Sequence, residues 1–373
     1  MKNTFLKNSL CIVLSLVMVA IFSTGALALS SEDAGDSSIV DWEDLFGPTP
    51  SEGLTFSANS DGTYGVSGMG TCTDTRVVIP ATYNGASVTT VQARAFANKT
   101  SITQVIFPTT MTAISSSAFS GCTGITELEF PESLSTIASR AFEDCTGLTS
   151  LYFSANVASI HQYAFMGCDG LTSINADFRN ASYSAAGNCL IQKSNKTLLL
   201  GCKNSVIPAD GSVVAIGNSA FYKCTGLTEI TIPESVTTID GAAFRYCTGL
   251  KTVTLPETIQ TISGNAFGGC TAITDVYYNG TATGWREDVS VGSGNAPLTG
   301  ATIHCRTLVG DLTLDDVVDD DDVAYLRYYM ADWTEYALDD ASVADFNKDG
   351  EVNALDVALL KRYVAGWNNS ELE

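Results

Sequence analysis

Phenylalanine returns along this chain at a fixed interval of twenty-three residues: Phe96, Phe119, Phe142 and Phe165, then, after a break, Phe221, Phe244 and Phe267. Each follows an alanine, and six of the seven are followed three positions later by cysteine (Cys122, Cys145, Cys168, Cys224, Cys247, Cys270). Apolar residues recur six, nine and eleven positions after the ring, as in Leu250, Val253 and Leu255, with further ones at fifteen and eighteen. This period is one turn of a repeat solenoid. The L-x-x-L-x-L segment predicts a short parallel strand, and the V-x-x-I and A-F segments return the chain. No single coil can bury its apolar side alone, so neighbours stack, each advancing by about one inter-strand spacing of 4.8 Å.

The interval from Phe165 to Phe221 is ten residues longer than two periods, and the excess falls near 188–201. There C-L-I-Q-K-S-N-K-T-L-L-L-G-C alternates around Ser194-Asn195, which predicts a hairpin inserted on one side of the solenoid. Beyond Leu308 the period changes. V-A-L-L-K-R-Y-V-A-G-W places Val357, Leu360, Tyr363, Val364 and Trp367 at helical spacing, a single face to bury. Shifted back by thirty-four, V-A-Y-L-R-Y-Y-M-A-D-W repeats the design up to Trp333, so two helices are expected to pack together.

Each helix follows an oxygen-rich loop. In the second, Asp345, Asn347, Asp349, Asn353 and Asp356 stand at positions one, three, five, nine and twelve, and Glu351 at seven offers its backbone carbonyl. That spacing wraps one chain around one hard cation, and Gly350 at six accepts the positive φ of the reversal. The helix is expected to begin at Asp356. In the first loop Asp311, Thr313, Asp315, Val317, Asp319 and Asp322 fill the same positions. That loop is degenerate, with Asp316 in place of the glycine and Thr313 at three. Two Ca2+ sites are therefore expected, the first the weaker. A tandem of loop–helix units, each closed by Asp, resembles a dockerin, the module that plugs proteins into the cohesins of a cellulosome scaffoldin. The resemblance covers Leu308 to about Trp367 and implies a cohesin partner. It further implies docking residues at loop positions ten and eleven and early in each helix: Asp320, Asp321, Arg327 and Tyr328, and Ala354, Leu355, Lys361 and Arg362.

The motif A-F-x-x-C-T-G-L-T-x-[LIV] resembles the leucine-rich repeats of the BspA-like bacterial surface proteins. Leu54 to Val91 looks like that family's first coil and Val276 to Cys305 its last. At the start of the chain, Lys2 and Lys7 precede an uncharged run from Ser9 to Phe22, and Ala26-Leu27-Ala28 offers a cleavage site. This predicts a secretory signal peptide over 1–28, hence export. The chain then divides into a Ser/Asp/Pro-rich tether over 29–52, a solenoid over 53–306 and the dockerin over 307–373. No later segment is long and apolar enough to span a membrane.

Charge narrows the partners. The formal net charge is −22, much of the acid lying in the last sixty-five residues, so nucleic acid and anionic membrane surfaces are poor partners and calcium is favoured. Ten cysteines follow the signal peptide. Six share one repeat position and read as buried thiols, while Cys189 and Cys202 flank the hairpin and are the pair to join if any does. Catalysis finds little to stand on. His161 and His304 sit in no metal or triad motif, and Glu127 and Glu129 project from one strand to one face, where glycosidase carboxylates must flank a sugar from both sides. Gln104, Tyr152, Asn175, Glu229, Thr252, Asp275 and Tyr277 share that outward stripe, a candidate face for a protein or glycan. The sequence therefore reads as a secreted, non-catalytic interaction protein. A dockerin-bearing hydrolase and a calcium-stiffened adhesin are the alternatives.

Overall fold

The structure is a computed structural model and describes residues 48–306, 308–313, 315, 317–333, 336, 338 and 341–366. The expected signal peptide, the tether as far as residue 47, Asp316 and Trp367 lie outside the described residues.

Neighbouring coils of the solenoid are laddered on three sides. On the first, Arg76–Val78, Gln104–Ile106 and Glu127–Glu129 pair in parallel, as do Ser150–Phe153 and Ser173–Ala176. Beyond the break, Glu229–Thr231, Thr252–Leu255, Asp275–Tyr278 and Thr302–Cys305 form a four-stranded parallel sheet. The alternation is that of a strand with one wet face: Leu128 is buried between exposed Glu127 and Glu129. On the second side, the V-x-x-I segments end in two-residue strands such as Ala113–Ile114 and Thr136–Ile137, which also pair in parallel. The sequence pattern assigned these only a return path, because two residues are too few to show alternation. On the third side, the A-F turns bond directly, with the Phe119 N–H donating to the Ala141 carbonyl at 2.7 Å and the Phe244 N–H to the Ala266 carbonyl at 2.7 Å. Holding this turn needs left-handed backbone two residues after the ring. Gly121 supplies it at φ +74°, whereas Tyr246 adopts φ +64° with its side chain, at a cost of about 1–2 kcal/mol.

The rings stack from coil to coil. Phe119 and Phe142 lie 5.2 Å apart at 3°, as do Phe142 and Phe165, and Phe244 and Phe267 lie 5.0 Å apart at 9°. Within each stack the carbonyl left inside by a phenylalanine meets the thiol of the next coil: Cys145 donates to Phe119 O at 3.2 Å, and Cys270 to Phe244 O at 2.9 Å, while Phe165 and Phe267, the last ring of each run, meet no such thiol among the described residues. The six ladder cysteines are therefore buried core thiols, five of them donating to a phenylalanine carbonyl, and none is in a disulfide; nor are Cys189 and Cys202. Those two contact carbonyls instead of each other, Cys189 reaching Gly187 O at 3.5 Å and Cys202 reaching Asn188 O at 4.0 Å.

The inserted segment differs from expectation. It is a three-stranded antiparallel meander, Tyr183–Ala186, Cys189–Gln192 and Thr197–Leu200, and it runs through the stack instead of beside it. Thr197–Leu200 pairs in parallel with Ala215–Ile216 and so continues the second ladder. Strand alternation on Cys189–Gln192 turns Leu190 into the core that precedes the meander and Cys189 and Ile191 into the core that follows; on Thr197–Leu200, Leu198 joins the following core, and Leu199 and Leu200 the preceding one. A hairpin apolar on both faces cannot remain outside a solenoid; it becomes a wall within one.

Both ends are covered. The hairpin Thr55–Ala58/Tyr64–Gly68 lies against the first coil, Tyr64–Gly68 pairing in parallel with Ala86–Val91. At the other end the last coil carries two short helices, α1 (Ala282–Glu287) and α2 (Ala296–Thr299). There the Phe267 N–H, lacking a further alanine carbonyl, donates to Asn295 Oδ1 at 2.8 Å. Beyond the solenoid, α3 (Asp320–Met330) and α4 (Ala354–Val364) share a separate small core of Leu312, Val323, Leu326, Ala344, Phe346, Leu359 and Leu360. Among the described residues no helix is long and apolar enough to cross a membrane.

Candidate metal centre and docking face

The two loops close on themselves by the same bonds, thirty-four residues apart. In the second, Asp356 Oδ1 accepts from Phe346 N at 2.8 Å and from Asn347 N at 3.4 Å, while Oδ2 accepts from Asn353 N at 2.8 Å. In the first, Asp322 Oδ1 accepts from Leu312 N at 2.7 Å and Thr313 N at 2.9 Å, and Oδ2 from Asp319 N at 2.9 Å. Asp322 and Asp356 are fully buried, and no lysine or arginine nitrogen reaches either carboxylate among the described residues. Asp311 is buried beside them. Helix α4 starts at Ala354, two residues before the expected Asp356, because Asn353 and Asp356 form a reciprocal capping box; Asp319 and Asp322 do the same for α3. The D/N-x-x-D spacing at each helix start was the available signal.

The remaining ligand positions gather around the second turn. Asp345 accepts from Asp349 N at 3.1 Å and from Gly350 N at 2.8 Å, and Asn347 Oδ1 accepts from Asp349 N at 3.1 Å. Asp349 accepts from Glu351 N at 2.9 Å, and its Oδ2 from the Asn347 amide at 2.7 Å. Those two bonds, the backbone one foremost, hold the Asp349 carboxyl below its usual range. Gly350 takes φ +88°, with open space where a side chain would stand, so its backbone angle and not crowding is what calls for glycine. In the first loop, Asp311 Oδ1 accepts from Asp315 N at 3.1 Å and Asp315 from Val317 N at 3.0 Å, but the Thr313 hydroxyl donates to Asp322 at 3.1 Å. Position three is thus tied to position twelve in the first loop and to position five in the second. Among the described residues no three His, Cys, Asp or Glu side chains stand together as a ready metal set, since the carboxylates turn onto the loops' own amides. The donors are oxygens throughout, with buried carboxylates and no cation beside Asp322 or Asp356. That chemistry fits a hard divalent ion in the second loop.

The expected docking residues are all exposed, but only Asp320, Asp321, Ala354 and Leu355 stand at the loop–helix junctions; Arg327 and Tyr328, and Lys361 and Arg362, lie towards the C-terminal ends of α3 and α4 and not early in them. Two apolar expectations fail. Tyr363 is half exposed, its place in the core taken by Leu359, and Trp333 is half exposed, stacked on Tyr328 at 4.7 Å and 21°. Tyr336 joins that stack, 4.8 Å from Tyr328. A short 3-10 turn, Ala341–Val343, leads into the second loop, where no helical entry was expected.

On the solenoid, Glu127, Glu129, Tyr152, Asn175, Glu229 and Tyr277 are exposed, with Gln104 and Asp275 half-buried, so the stripe exists. It falls into two parts around the meander. The histidines also find their places: exposed His161 accepts from Tyr163 N at 3.2 Å, and His304 joins the stripe through Asp275 at 2.9 Å and a 4.6 Å stack on Tyr277.

Comparison with known proteins finds two families along the chain. Residues 89–197 and 193–289 match the BspA type leucine rich repeat region, in six copies, and residues 309–365 match the dockerin type I domain, a calcium-binding module. Among solved structures, a leucine-rich repeat protein of T. pallidum is 22% identical over 65% of this chain and 85% of its own, with a TM-score of 0.30. The pneumococcal vaccine antigen PcpA is 15% identical over 68% and 72%, at 0.46, and a leucine-rich repeat protein of Eubacterium ventriosum is 18% identical over 65% and 83%, at 0.40. No curated protein matches. With its repeats matched over more than half its length, the chain belongs to the BspA-type leucine-rich repeat proteins and carries a type I dockerin domain.

Proposed function

We propose that this is an exported, non-catalytic interaction protein whose dockerin, residues 307–373, plugs into a cohesin on the scaffoldin of a polysaccharide-degrading complex, while the solenoid, residues 53–306, holds a protein or glycan ligand. The observation that carries the reading is the duplicated loop–helix, in which Asp322 and Asp356 are buried with only backbone and hydroxyl donors for company. Burying a carboxylate unpaired costs several kcal/mol, and a bound cation offsets it. Asp345, Asn347, Asp349, Asn353, Asp356 and the Glu351 carbonyl would hold Ca2+ in the second loop. Asp311, Thr313, Asp315, Asp319, Asp322 and the Val317 carbonyl would hold it more weakly in the first. The ion supplies charge and ligand geometry alone; the residues between the ligands set the loop–helix junctions that a cohesin meets. Neither matched family is a catalytic domain, which supports a binding role over the hydrolase alternative. Both families are typical of extracellular or cell-surface bacterial proteins, which supports export.

The test is a cohesin panel probed with the full chain in calcium and again after chelation. Capture in calcium that is lost on chelation is the expected result. Failure to bind any cohesin while calcium is demonstrably bound would leave the adhesin alternative in its place.

A further inference from the structure

The solenoid's exposed face is broken where the meander enters, and the break leaves an open strand edge. The inserted turn runs from Cys202 to Pro208, three residues shorter than the matching run from Cys224 to Pro233, and 203–208 form no strand. Glu229–Thr231 is therefore an end strand, paired with Thr252–Leu255 alone. Its even-numbered residues serve that pairing, Thr228 O accepting from Lys251 N at 2.8 Å and Ile232 N donating to Thr254 O at 2.9 Å. Glu229 and Thr231 consequently turn their N–H and C=O groups the other way, where no described residue meets them. In front of them lies an open groove of about 620 Å³, with Lys203, Val206 and Ile207 on one wall and Glu229, Thr231 and Glu234 on the other. Val206 is 72% exposed there.

We propose that this groove receives an extended peptide segment of a partner protein as an added strand. Unpaired donor–acceptor pairs on alternate residues repeat about every 6.6 Å, twice the rise of a strand, which is the repeat of another extended polypeptide backbone. A glycan presents hydroxyls with no such fixed alternation of donors and acceptors. Side-chain chemistry narrows the segment further. Val206 offers an apolar contact for one side chain, and the Glu229 and Glu234 carboxylates, against the single Lys203 ammonium, select a basic residue beside it. An uncovered strand edge in mid-face is a template for pairing. The inference rests on the solenoid's being a binding element and is independent of the dockerin.

The experiment pans a displayed library of random dodecapeptides on the full-length, calcium-loaded protein and measures recovered peptides by fluorescence anisotropy against two variants. Thr231→Pro removes an edge donor that the existing ladder does not use; Val206→Asp alters the facing wall without touching backbone, and carries the test alone if the proline variant does not fold. Expected are peptides pairing a β-branched with a basic residue that lose about tenfold or more in affinity for each variant, and that slow amide exchange at Glu229 and Thr231. These peptides remain bound after chelation, whereas cohesin capture does not, so the two readings fail separately. The proposal is overturned if no peptide is recovered, or if recovered peptides bind both variants as they bind the parent. It is equally overturned if soluble oligosaccharides bind in a manner lost in Val206→Asp, or if sedimentation shows the chain dimerising through this edge.

Discussion

In the solenoid, Phe142 is gripped by Phe119 on one side and Phe165 on the other, and its neighbours' backbones are tied to it on three sides. In the C-terminal module the core is seven buried apolar side chains, and the carboxylate-bearing Asp311, Asp322 and Asp356 are buried as well. The first arrangement stabilises itself: each added coil buries the exposed end of the last. The second works against itself until something positive enters, because a core of seven side chains is small and buried like charges repel. On the proposed function, order would come from stacking in one region and from a cation in the other, and conditions that remove one source should leave the other standing.

The largest effect expected is on chelation. Removing calcium should abolish the module's helical circular dichroism and cohesin capture together, since the assembled site exists only in the folded state and binding free energy is there folding free energy. The solenoid's β signal and melting should not move. A module that keeps its helices and its cohesin without calcium would break the comparison at its root.

Phe244→Ala probes the opposite side. Cutting a fully buried ring from the middle of the second stack should cost about 3–5 kcal/mol and loosen the coils around Phe221 and Phe267. Cohesin affinity should stay within about twofold. Loss of cohesin binding in a variant whose C-terminal helices remain folded would show that the boundary near residue 307 is misplaced.

Thiol chemistry reports on the solenoid, because every cysteine after Cys11 lies between Cys72 and Cys305. Burial pushes the Cys122 thiol up to about 11 and Cys168 up to about 12, from a starting value of 9.0. A raised pKa means less thiolate at any pH below it, so at pH 8 alkylation of Cys122 should run about a hundredfold slower in the native protein than in the unfolded one, a two-unit shift being two powers of ten. Chelation should not accelerate it, while denaturant should unmask the whole ladder at once. Pairwise protection persisting in denaturant would mean disulfides.

The same contrast explains how far the sequence could be read. The twenty-three-residue interval of A-F and Cys was visible because stacking demands one identical side chain per coil, and the loops were visible because a hard cation demands oxygens at fixed spacing. What escaped was set by neighbours distant in the chain. The V-x-x-I ladder is invisible at two residues per strand, and the meander's place inside the stack depends on Leu190 and Ile191 finding cores on opposite sides. Helical spacing put Tyr363 and Trp333 on a buried face, but the partner helix is only eleven residues long and leaves both at its margin, where Trp333 stacks on Tyr328 instead. The open edge at Glu229–Thr231 arises from three residues missing elsewhere.

Within the module the loops themselves should differ. Asp345→Ala removes a carboxylate that two amides and the ion share in the loop with Gly350 at its turn, whereas Asp311→Ala acts in the loop whose position-three oxygen is already bonded to Asp322. Titration calorimetry should show Asp345→Ala costing about tenfold more calcium affinity than Asp311→Ala, roughly 1.4 kcal/mol. Equal losses would mean that Asp319 restores the first loop to parity.

The smallest effect, and the finest comparison, concerns the two docking faces. One presents Arg327 and Tyr328, the latter packed against the rings of Trp333 and Tyr336; the other presents Leu355 with the cationic Lys361 and Arg362, all exposed. A rigid aromatic loses little side-chain freedom on binding, while two long cationic side chains lose about 1–2 kcal/mol each when ordered. If the module docked in two interchangeable orientations, replacing either pair with alanine would leave the other face to bind, and both losses would be small and equal. The faces differ in charge, rigidity and apolar area, so a single orientation should dominate. Separate replacement of Arg327-Tyr328 and of Lys361-Arg362 should then give unequal losses against one cohesin, one of them at least about fivefold larger than the other. Raising the salt concentration should weaken binding through the Lys361-Arg362 face more than through the Tyr328 face, since screened charges lose strength and stacked rings do not. Equal losses with equal salt dependence would establish two-fold docking in spite of the asymmetry of the faces.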